Sequence, residues 1–282
     1  MLGMTDHAQD DSTILVLGAT GKTGRRVVQR LQARGVPTRA GSRTAQPPFD
    51  WEDRDTWESA LSGVGAVYVT YYPDLAVPGA PEVVGELARL ARDQGLRRIV
   101  LLSGRGEEEA QRSEEAVKQA GIDWTILRAS WFHQNFSEGF LTDAVLEGVV
   151  ALPVGDVREP FVHADDLADV AVAALTEDGH AGELYEITGP RLMTFGDAVA
   201  EIAEATGRQL RFETVPMEAF GAELGRQGLS DDETWLVTYL FSEVLDGRNE
   251  SLSDGLQRAL GREPLDFSDY VRDTAATGVW NV

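Results

Sequence analysis

The 282-residue sequence contains no cysteine and only four histidines. The absence of cysteine excludes disulfide bonds, thiolate nucleophiles and thiolate-ligated metals. The histidines stand at no spacing that would pair them on one metal, so no metal site is predicted. No apolar run approaches the roughly 18 residues of a membrane span, and residues 1–12 lack the basic and apolar regions of a secretory signal. We therefore expect a disordered leader over residues 1–12 and a cytoplasmic protein without membrane contact.

Basic side chains are also scarce, because Lys and Arg number 25 against 47 Asp and Glu, which gives a net charge of −22. This charge opposes binding to nucleic acid, which depends on neutralising phosphates with Lys and Arg. Only within residues 1–50 do basic residues outnumber acidic ones. We therefore expect no nucleic-acid partner. The expected partner is a small molecule, and the chain is expected to be a monomer or a homodimer.

A glycine-rich turn follows the first apolar run and precedes the first helical pattern. Ile14–Leu17 is typical of a buried parallel strand, and Gly18, Gly21 and Gly24 follow it at three-residue spacing. Between a strand and a helix, such glycines predict a dinucleotide site with the pyrophosphate at the helix N-terminus. A glycine-rich connection that binds no ligand is the plainer alternative.

Strand and helix patterns then alternate through residue 128. The apolar runs lie at 36–40, 66–70, 98–102 and 123–128, with a possible short strand at 49–51, and amphipathic patterns separate them. This alternation predicts a Rossmann-like α/β fold with a doubly wound parallel sheet. Beyond Ala129 the pattern loosens, with an aromatic helix predicted from Trp131 towards Leu146 and a mostly helical region after Val215.

The end of the second strand pattern is the position that selects between the two nicotinamide dinucleotides. An acidic residue there binds the ribose 2′-hydroxyl of NAD, whereas an arginine accommodates the 2′-phosphate of NADP. Residues 36–46 contain no Asp or Glu but do contain Arg39 and Arg43. NADP(H) is therefore the predicted cofactor, with an ordinary surface role for Arg43 as the alternative. The other residues predicted to contact it lie in the glycine turn or after later strands, and they are Thr20, Lys22, Thr23, Asp50, Thr70 and Tyr71.

Three motifs follow one another along the chain, and their occurrence together in this order is specific. They are Gly18-Ala-Thr-Gly21-Lys-Thr-Gly24, Gly121-Ile-Asp-Trp-Thr125-Ile-Leu-Arg128 and Phe161-Val-His-Ala-Asp165-Asp166-Leu-Ala168. Together they resemble the NmrA-like branch of the atypical short-chain dehydrogenases/reductases. The likeness runs from about residue 13 to residue 207.

The resemblance implies an NADP-binding domain and a smaller C-terminal domain, with substrate between them. On this basis we expect an NADP-binding domain over residues 13–150, a sheet completed by parts of 151–190, and a substrate-covering region over 190–282. Members of the family include NADPH-dependent quinone and ketone reductases. Others bind the cofactor without turning it over and act as regulators.

The sequence departs from the family at its usual catalytic pair. Short-chain reductases use Tyr-x-x-x-Lys, in which the lysine lowers the pKa of the tyrosine. Aligned on the motif that begins at Gly121, the two positions fall on Gly106 and Ala110. Lys118 stands in the wrong register and is more typical of a solvated helix residue paired with a neighbouring glutamate.

Reduction would then require another proton donor, or solvent. Residues after predicted strands are the candidates, because ligands bind at the carboxyl ends of strands in open α/β sheets. We select Tyr72, Ser103 and His133. For Ser103 a role in a turn is an equal alternative, and a histidine within a helix is commonly structural.

Aromatic residues beyond Ala129 predict the character of the substrate. The residues selected as substrate contacts are Trp131, Phe132, Asn135, Phe136, Trp235 and Tyr239. They favour a flat conjugated carbonyl compound, such as a quinone or an aromatic polyketide. The predicted function is an NADP(H)-dependent oxidoreductase for such a substrate. The alternative is a non-catalytic NADP(H) sensor that controls a partner protein.

Overall fold

The structure is a computed structural model that describes residues 13–282, so the leader predicted over 1–12 lies outside the described residues. The chain divides into two compact units. The first contains residues 13–103, 109–127 and 168–184, and the second contains 104–108, 128–167 and 185–282. The domain boundaries expected near residues 150 and 190 stay predictions. Within residues 13–282, no helix is long and apolar enough to cross a membrane.

The strands are β1 Ile14–Leu17, β2 Thr38–Gly41, β3 Ala66–Val69, β4 Arg98–Gly104, β5 Asp123–Ala129, β6 Val149–Leu152, β7 Arg158–Glu159, β8 Glu183–Ile187, β9 Met193–Thr194 and β10 Arg211–Thr214. The helices are α1 Lys22–Ala33, α2 Trp57–Leu61, α3 Ala80–Asp93, α4 Glu108–Lys118, α5 Thr142–Glu147, α6 Ala164–Thr176, α7 Phe195–Thr206, α8 Met217–Arg226, α9 Asp231–Tyr239, α10 Gly255–Leu260 and α11 Phe267–Ala276. Short 3₁₀ turns cover Arg54–Thr56 and His133–Phe136, and a π turn covers Leu240–Val244.

The largest sheet of the described residues is six-stranded and parallel, in the order β2-β1-β3-β4-β5-β8. Its inner strands are short apolar runs, and every residue of β1 and β3 is buried. Such runs suit a parallel sheet that helices cover on both faces. Because the strands are parallel, their carboxyl ends share one edge, where Gly18, Ser42 and Thr70 follow β1, β2 and β3. The Rossmann-like α/β fold predicted from the sequence is confirmed.

The second unit is built around a separate aromatic core and two small sheets. β6 pairs with β10 in parallel, and β7 pairs with β9 in antiparallel orientation. Phe136, Phe161, Phe195 and Phe267 are fully or almost fully buried and pack edge-to-face or tilted against one another. A capping box between Thr194 and Asp197 begins α7, which packs in this core.

Two predicted elements differ from those in the structure. Residues 49–51 form no strand, because the backbone of Asp50 bonds the side chains of Thr56 and Trp57. The helix predicted from Trp131 to Leu146 is replaced by a 3₁₀ turn and the short α5. Its first residue cannot enter a helix, because the carbonyl of Trp131 accepts a hydrogen bond from the amide of Val162.

Candidate functional site

The turn after β1 has the close backbone packing that its glycines predict. Gly18 has a φ of +67°, and a Cβ there would lie 2.1 Å from Oγ1 of Thr70. A Cβ on Gly24 would lie 2.1 Å from the carbonyl oxygen of Gly18. Both positions therefore exclude a side chain because the protein itself occupies the space. Gly21 differs, because a Cβ there would meet only the Gly18 oxygen, at 3.2 Å.

The N-terminus of α1 is available to an anion. Gly21 is the N-cap residue, and neither a capping side chain nor an acid in the first turn occupies this end. Thr20 and Gly21 are exposed, Lys22 is partly buried, and Thr23 is buried beneath them. Backbone amides at an uncapped helix end bind negative groups, and the helix dipole favours the same charge. The turn therefore fits a pyrophosphate, as the sequence predicted.

Hydrogen bonds join the ends of β1, β2 and β3 into one surface. The amide of Gly18 donates to the carbonyl oxygen of Gly41 at 3.2 Å. Oγ1 of Thr70 donates to the carbonyl oxygen of Leu17, also at 3.2 Å. The structure thus brings the glycine turn, the residues after Gly41 and the predicted contact Thr70 together at the carboxyl edge.

The two arginines of the β2 region have different surroundings. Arg39 donates to the carbonyl oxygens of Ala60 and Ser62 at 2.8 and 2.7 Å, so it holds the chain after α2. Arg43 is exposed, two residues beyond the partner of Gly18, and makes no ion pair or hydrogen bond within residues 13–282. Of the two, Arg43 has the free guanidinium that recognition of a phosphate needs.

Aromatic rings cover the same edge beside β3. Nε1 of Trp51 donates to the carbonyl oxygen of Thr70 at 3.2 Å, and its ring packs against that of Tyr71 at 4.9 Å. Burial, with a smaller effect of Glu52, raises the pKa of Tyr71. Asp50 accepts the amide of Glu52 at 3.1 Å. This partly buried group has the flat shape that suits an adenine ring. It includes Asp50 and Tyr71, both predicted as cofactor contacts.

The two first-unit candidates for proton transfer, Tyr72 and Ser103, differ in their exposure to solvent. Tyr72 is 71% exposed and projects from the loop after β3. Ser103 is buried near the end of β4, where its hydroxyl donates to Oε1 of the buried Glu114 at 2.7 Å. The Ser103 proton is therefore engaged within the protein. Lys118 pairs with Glu115 at 2.7 Å, as expected of a helix-surface residue.

His133, the second-unit candidate, is fully buried. Its Nε2 lies 2.9 Å from the carbonyl oxygen of Phe161, and its ring packs against those of Phe267 and Tyr270. Burial, and next the neighbouring His163, lower the pKa of His133 to about 3. At neutral pH the imidazole is therefore uncharged and is a poor proton donor.

The predicted substrate contacts divide into core and surface. Phe136 is a core residue, whereas Trp131, Phe132 and Asn135 are partly buried. Trp131 contacts the ring of Phe241 at 5.2 Å. In α9, Trp235 is 46% exposed and stacks on Tyr239 at 5.4 Å.

The structure also reveals a polar cluster that the sequence did not indicate. We call Arg105, Glu159 and Asn249 the Glu159 cluster. Glu159 is 0% exposed, and neither carboxyl oxygen makes a hydrogen bond of normal geometry among the described residues. Burial raises its pKa to about 8, although Arg105 and Asn249 act in the opposite direction. Strongly shifted carboxyl groups are common at functional sites. In the sequence, the one sign of this cluster was a glutamate two residues before Phe161. A single glutamate there does not indicate a functional site.

Comparison with known proteins agrees with the geometry of the turn. Residues 18–178 match the NAD(P)H-binding family. The (4-alkanoyl-5-oxo-2,5-dihydrofuran-3-yl)methyl phosphate reductase of Streptomyces griseus is 33% identical over 288 residues, which cover 93% of this chain and 98% of that protein.

Two solved structures share the fold. The NADPH-dependent quinone oxidoreductase QOR2 of Escherichia coli, complexed with NADPH, has a TM-score of 0.75 at 22% identity, with 92% of this chain and 99% of that one covered. NmrA, a negative transcriptional regulator in complex with NAD, has a TM-score of 0.69 at 14% identity, with 96% and 99% covered. With the family match, these structures confirm the resemblance indicated by the three motifs.

Proposed function

We propose that this chain, which belongs to the NAD(P)H-binding family, is an NADPH-dependent reductase of a small conjugated carbonyl or quinone-like acceptor. The observation that carries the proposal is the arrangement at the carboxyl edge of the first unit. An uncapped helix N-terminus begins at Gly21, and Arg43 stands unpaired among the described residues where an acid would select NAD. When bound, NADPH supplies a hydride.

The residues of the turn fit the cofactor. Gly21 is exposed and without a side chain, so the backbone can approach a pyrophosphate closely. The amides that begin α1 would hold the pyrophosphate, and Arg43 would hold the 2′-phosphate with a charge-assisted hydrogen bond. Tyr71 and Asp50 would lie against the adenine.

A conjugated acceptor suits a chain that lacks the tyrosine–lysine pair. Gly106 follows β4 with a φ of +81°, and Ala110 is buried, so neither of the two positions offers an acid. When a hydride adds to a conjugated carbonyl, the negative charge spreads onto oxygen, so the acceptor depends less on a strong acid at the moment of transfer. The named substrate of the Streptomyces griseus relative is an oxo-dihydrofuran with an alkanoyl group, and the Escherichia coli protein of the same fold is a quinone oxidoreductase.

The test is a titration of purified protein with NADPH and NADH, followed by absorbance of the reduced nicotinamide in the presence of quinones, enones and unsaturated lactones. We expect NADPH to bind more tightly and to be oxidised by at least one acceptor. Arg43→Ala should weaken NADPH binding about tenfold or more and leave NADH binding unchanged, because only NADPH carries the 2′-phosphate.

Arg39→Ala is the matched control, because Arg39 lies on β2, just before Arg43, but bonds carbonyl oxygens of the protein. Arg39→Ala should lower the melting temperature without changing the ratio of the NADPH affinity to the NADH affinity. An equal loss of NADPH and NADH affinity in Arg43→Ala would contradict the role given to Arg43.

The second candidate is a sensor that binds NADP(H) without turnover. The observation that favours it is the engagement of Ser103 by Glu114, together with the uncharged, buried state of His133. NmrA, which shares the fold, is a negative transcriptional regulator. Tight NADPH binding with no oxidation by any acceptor would move the assignment to this candidate.

A further inference from the structure

We propose that the buried hydroxyl of Tyr68 positions the first turn of α1 for the pyrophosphate of the cofactor, through the side chain of Thr23. The inference rests on the proposed function and adds a positioning residue that lies beneath the site without touching the ligand. Both residues belong to the first unit, as the glycine turn does. Tyr68 is the third residue of β3, and Thr23 is the second residue of α1.

Tyr68 lies on the face of the sheet that the start of α1 covers. Successive side chains of a strand alternate between the two faces of a sheet. The neighbours of Tyr68 in β3, Val67 and Val69, pack in an apolar core that also contains residues of α2 and α3. Tyr68 therefore projects from the opposite face. Thr23 lies there too, because its hydroxyl acts on that of Tyr68.

The hydroxyl of Tyr68 is buried without full hydrogen bonding. The residue is 0% exposed, and its hydroxyl makes no hydrogen bond of normal geometry among the described residues. Burial raises the pKa of Tyr68, and the hydroxyl of Thr23 acts in the opposite direction, so the phenol keeps its proton at neutral pH. A buried hydroxyl in this state destabilises the fold, whereas a phenylalanine would not. Its presence therefore points to a role in the neighbouring site.

That site is the first turn of α1. The backbone amides of Thr23 and Gly24 make no hydrogen bond within residues 13–282, because they begin a helix that lacks a capping side chain. The amide of Arg25 instead donates to the carbonyl oxygen of Gly21 at 3.1 Å. The first two amides are therefore donors that a pyrophosphate would meet. One of them belongs to the residue that Tyr68 contacts.

Thr23 connects the buried hydroxyl with the donors because its side chain and its amide belong to one residue. A threonine side chain is stiff at χ1, and a contact at its hydroxyl restricts it further. A fixed side chain holds the amide of Thr23 in one direction, and donors that are oriented beforehand bind an anion more tightly. Gly18 and Gly24 hold α1 close to β1 independently of this contact. Loss of the Tyr68 hydroxyl should therefore loosen the first turn and leave the helix in place.

The decisive variant is Tyr68→Phe, which keeps the ring and removes the hydroxyl. We expect its melting temperature to equal or exceed that of the wild type, because a buried hydroxyl without a normal hydrogen bond is lost. The dissociation constants of NADPH and NADH should both rise about fivefold, because both dinucleotides carry the pyrophosphate. A purely structural role would instead lower stability and leave affinity unchanged.

Two fragments of the cofactor locate the effect. ADP-ribose carries the pyrophosphate without the nicotinamide, whereas adenosine 2′-monophosphate carries the 2′-phosphate without the pyrophosphate. In Tyr68→Phe, the affinity for ADP-ribose should fall by the same factor as that for NADPH, and the affinity for adenosine 2′-monophosphate should not change. Arg43→Ala should give the opposite pattern. Calorimetric titration measures each affinity.

Variants of Thr23 test the contact itself. Thr23→Val keeps the shape and removes the hydroxyl, so it should also weaken binding of both dinucleotides, whereas Thr23→Ser keeps the hydroxyl and should retain most of the affinity. If the two hydroxyls act as one contact, Tyr68→Phe combined with Thr23→Val loses no more affinity than the weaker-binding single variant. Independent losses that multiply in the double variant would contradict the inference.

Tyr270→Phe is the matched control. Tyr270 is also a buried tyrosine, but it belongs to the second unit and its hydroxyl donates to Oγ of Ser137 at 2.7 Å. Removing a bonded hydroxyl should lower the melting temperature and leave the affinities for NADPH and NADH unchanged. This result is the reverse of the one expected for Tyr68→Phe.

The outcomes separate the inference from the function it rests on. If the wild type binds neither NADPH nor NADH, the proposed function fails, and Tyr68 has no ligand to position. If the wild type binds both and Tyr68→Phe binds them equally well, the positioning role is wrong and the proposed function stands. A loss of NADPH affinity alone would also contradict the role, because it would act on the 2′-phosphate. A Tyr68→Phe protein that melts earlier or does not fold would show that the hydroxyl is a structural group.

Discussion

The glycine turn of the first unit and the Glu159 cluster of the second unit both contain polar groups near strand ends. They differ in the exposure of these groups to solvent. The turn offers backbone amides at an exposed helix end, and its arginine faces solvent. The cluster buries its three polar side chains in the second unit. One arrangement leaves its hydrogen-bonding capacity available to a ligand, whereas the other uses burial to change the chemistry of an acid.

This difference indicates what each region can do. A charged ligand binds best where donors are already oriented and the protein does not have to break its own bonds first, as at the start of α1. Burial without a hydrogen bond of normal geometry instead raises the pKa of a carboxyl group, as for Glu159. Binding of a charged ligand therefore requires exposed donors, whereas a raised carboxyl pKa requires burial.

Gly24→Ala should produce the largest effect on the turn. The new Cβ would lie 2.1 Å from the backbone oxygen of Gly18, which cannot move aside as a flexible side chain could. We expect the free energy of unfolding to fall by about 3 kcal/mol and NADPH binding to be lost. Denaturant unfolding and nicotinamide fluorescence measure the two effects.

Gly225→Ala in α8 is the control for adding a methyl group, because a Cβ there has no neighbour within 4 Å. It should leave stability unchanged or raise it by less than about 1 kcal/mol. Wild-type stability in Gly24→Ala would mean that α1 and β1 do not approach as closely as the structure shows.

The second-largest effect is expected for Ser103→Ala, and its reason is a difference between two buried glutamates. Glu114 accepts a hydrogen bond from Ser103 at 2.7 Å, whereas Glu159 has no bond of normal geometry among the described residues. Ser103→Ala removes a donor to a buried carboxylate, so the free energy of unfolding should fall by about 2 kcal/mol. Thermal unfolding measures this loss. A large fall in kcat with stability unchanged would instead show that Ser103 takes part in the reaction.

The parts that the sequence predicts well are those encoded within a few residues. Ile14–Leu17, the three glycines and the helix after them lie within one stretch, so the pattern of apolar and small residues is sufficient. The absence of Asp and Glu from residues 36–46, which predicts NADP(H), can also be read within one short stretch. The sequence could not separate Arg39 from Arg43, because the difference depends on the carbonyl oxygens of Ala60 and Ser62.

The parts that it misses depend on residues far apart in the chain. Arg105, Glu159 and Asn249 are separated by 54 and 90 positions and belong to no common motif. The Trp131 helix is wrong for a similar reason, since the amide of a distant residue, Val162, holds its first residue in an extended pairing. Aromatic spacing alone also could not distinguish the core residue Phe136 from the exposed Trp235.

Gly21→Ala is the smallest change and the sharpest test of the turn as a binding site. Its Cβ would meet only the oxygen of Gly18 at 3.2 Å, so the free energy of unfolding should change by less than about 1 kcal/mol. Because the methyl group would point from an exposed position into the space that a pyrophosphate needs, NADPH affinity should fall about tenfold, or roughly 1.4 kcal/mol. Compared with Gly24→Ala, this variant separates loss of binding from loss of folding. Unchanged affinity in a folded Gly21→Ala protein would show that the exposed amides of α1 do not hold the cofactor.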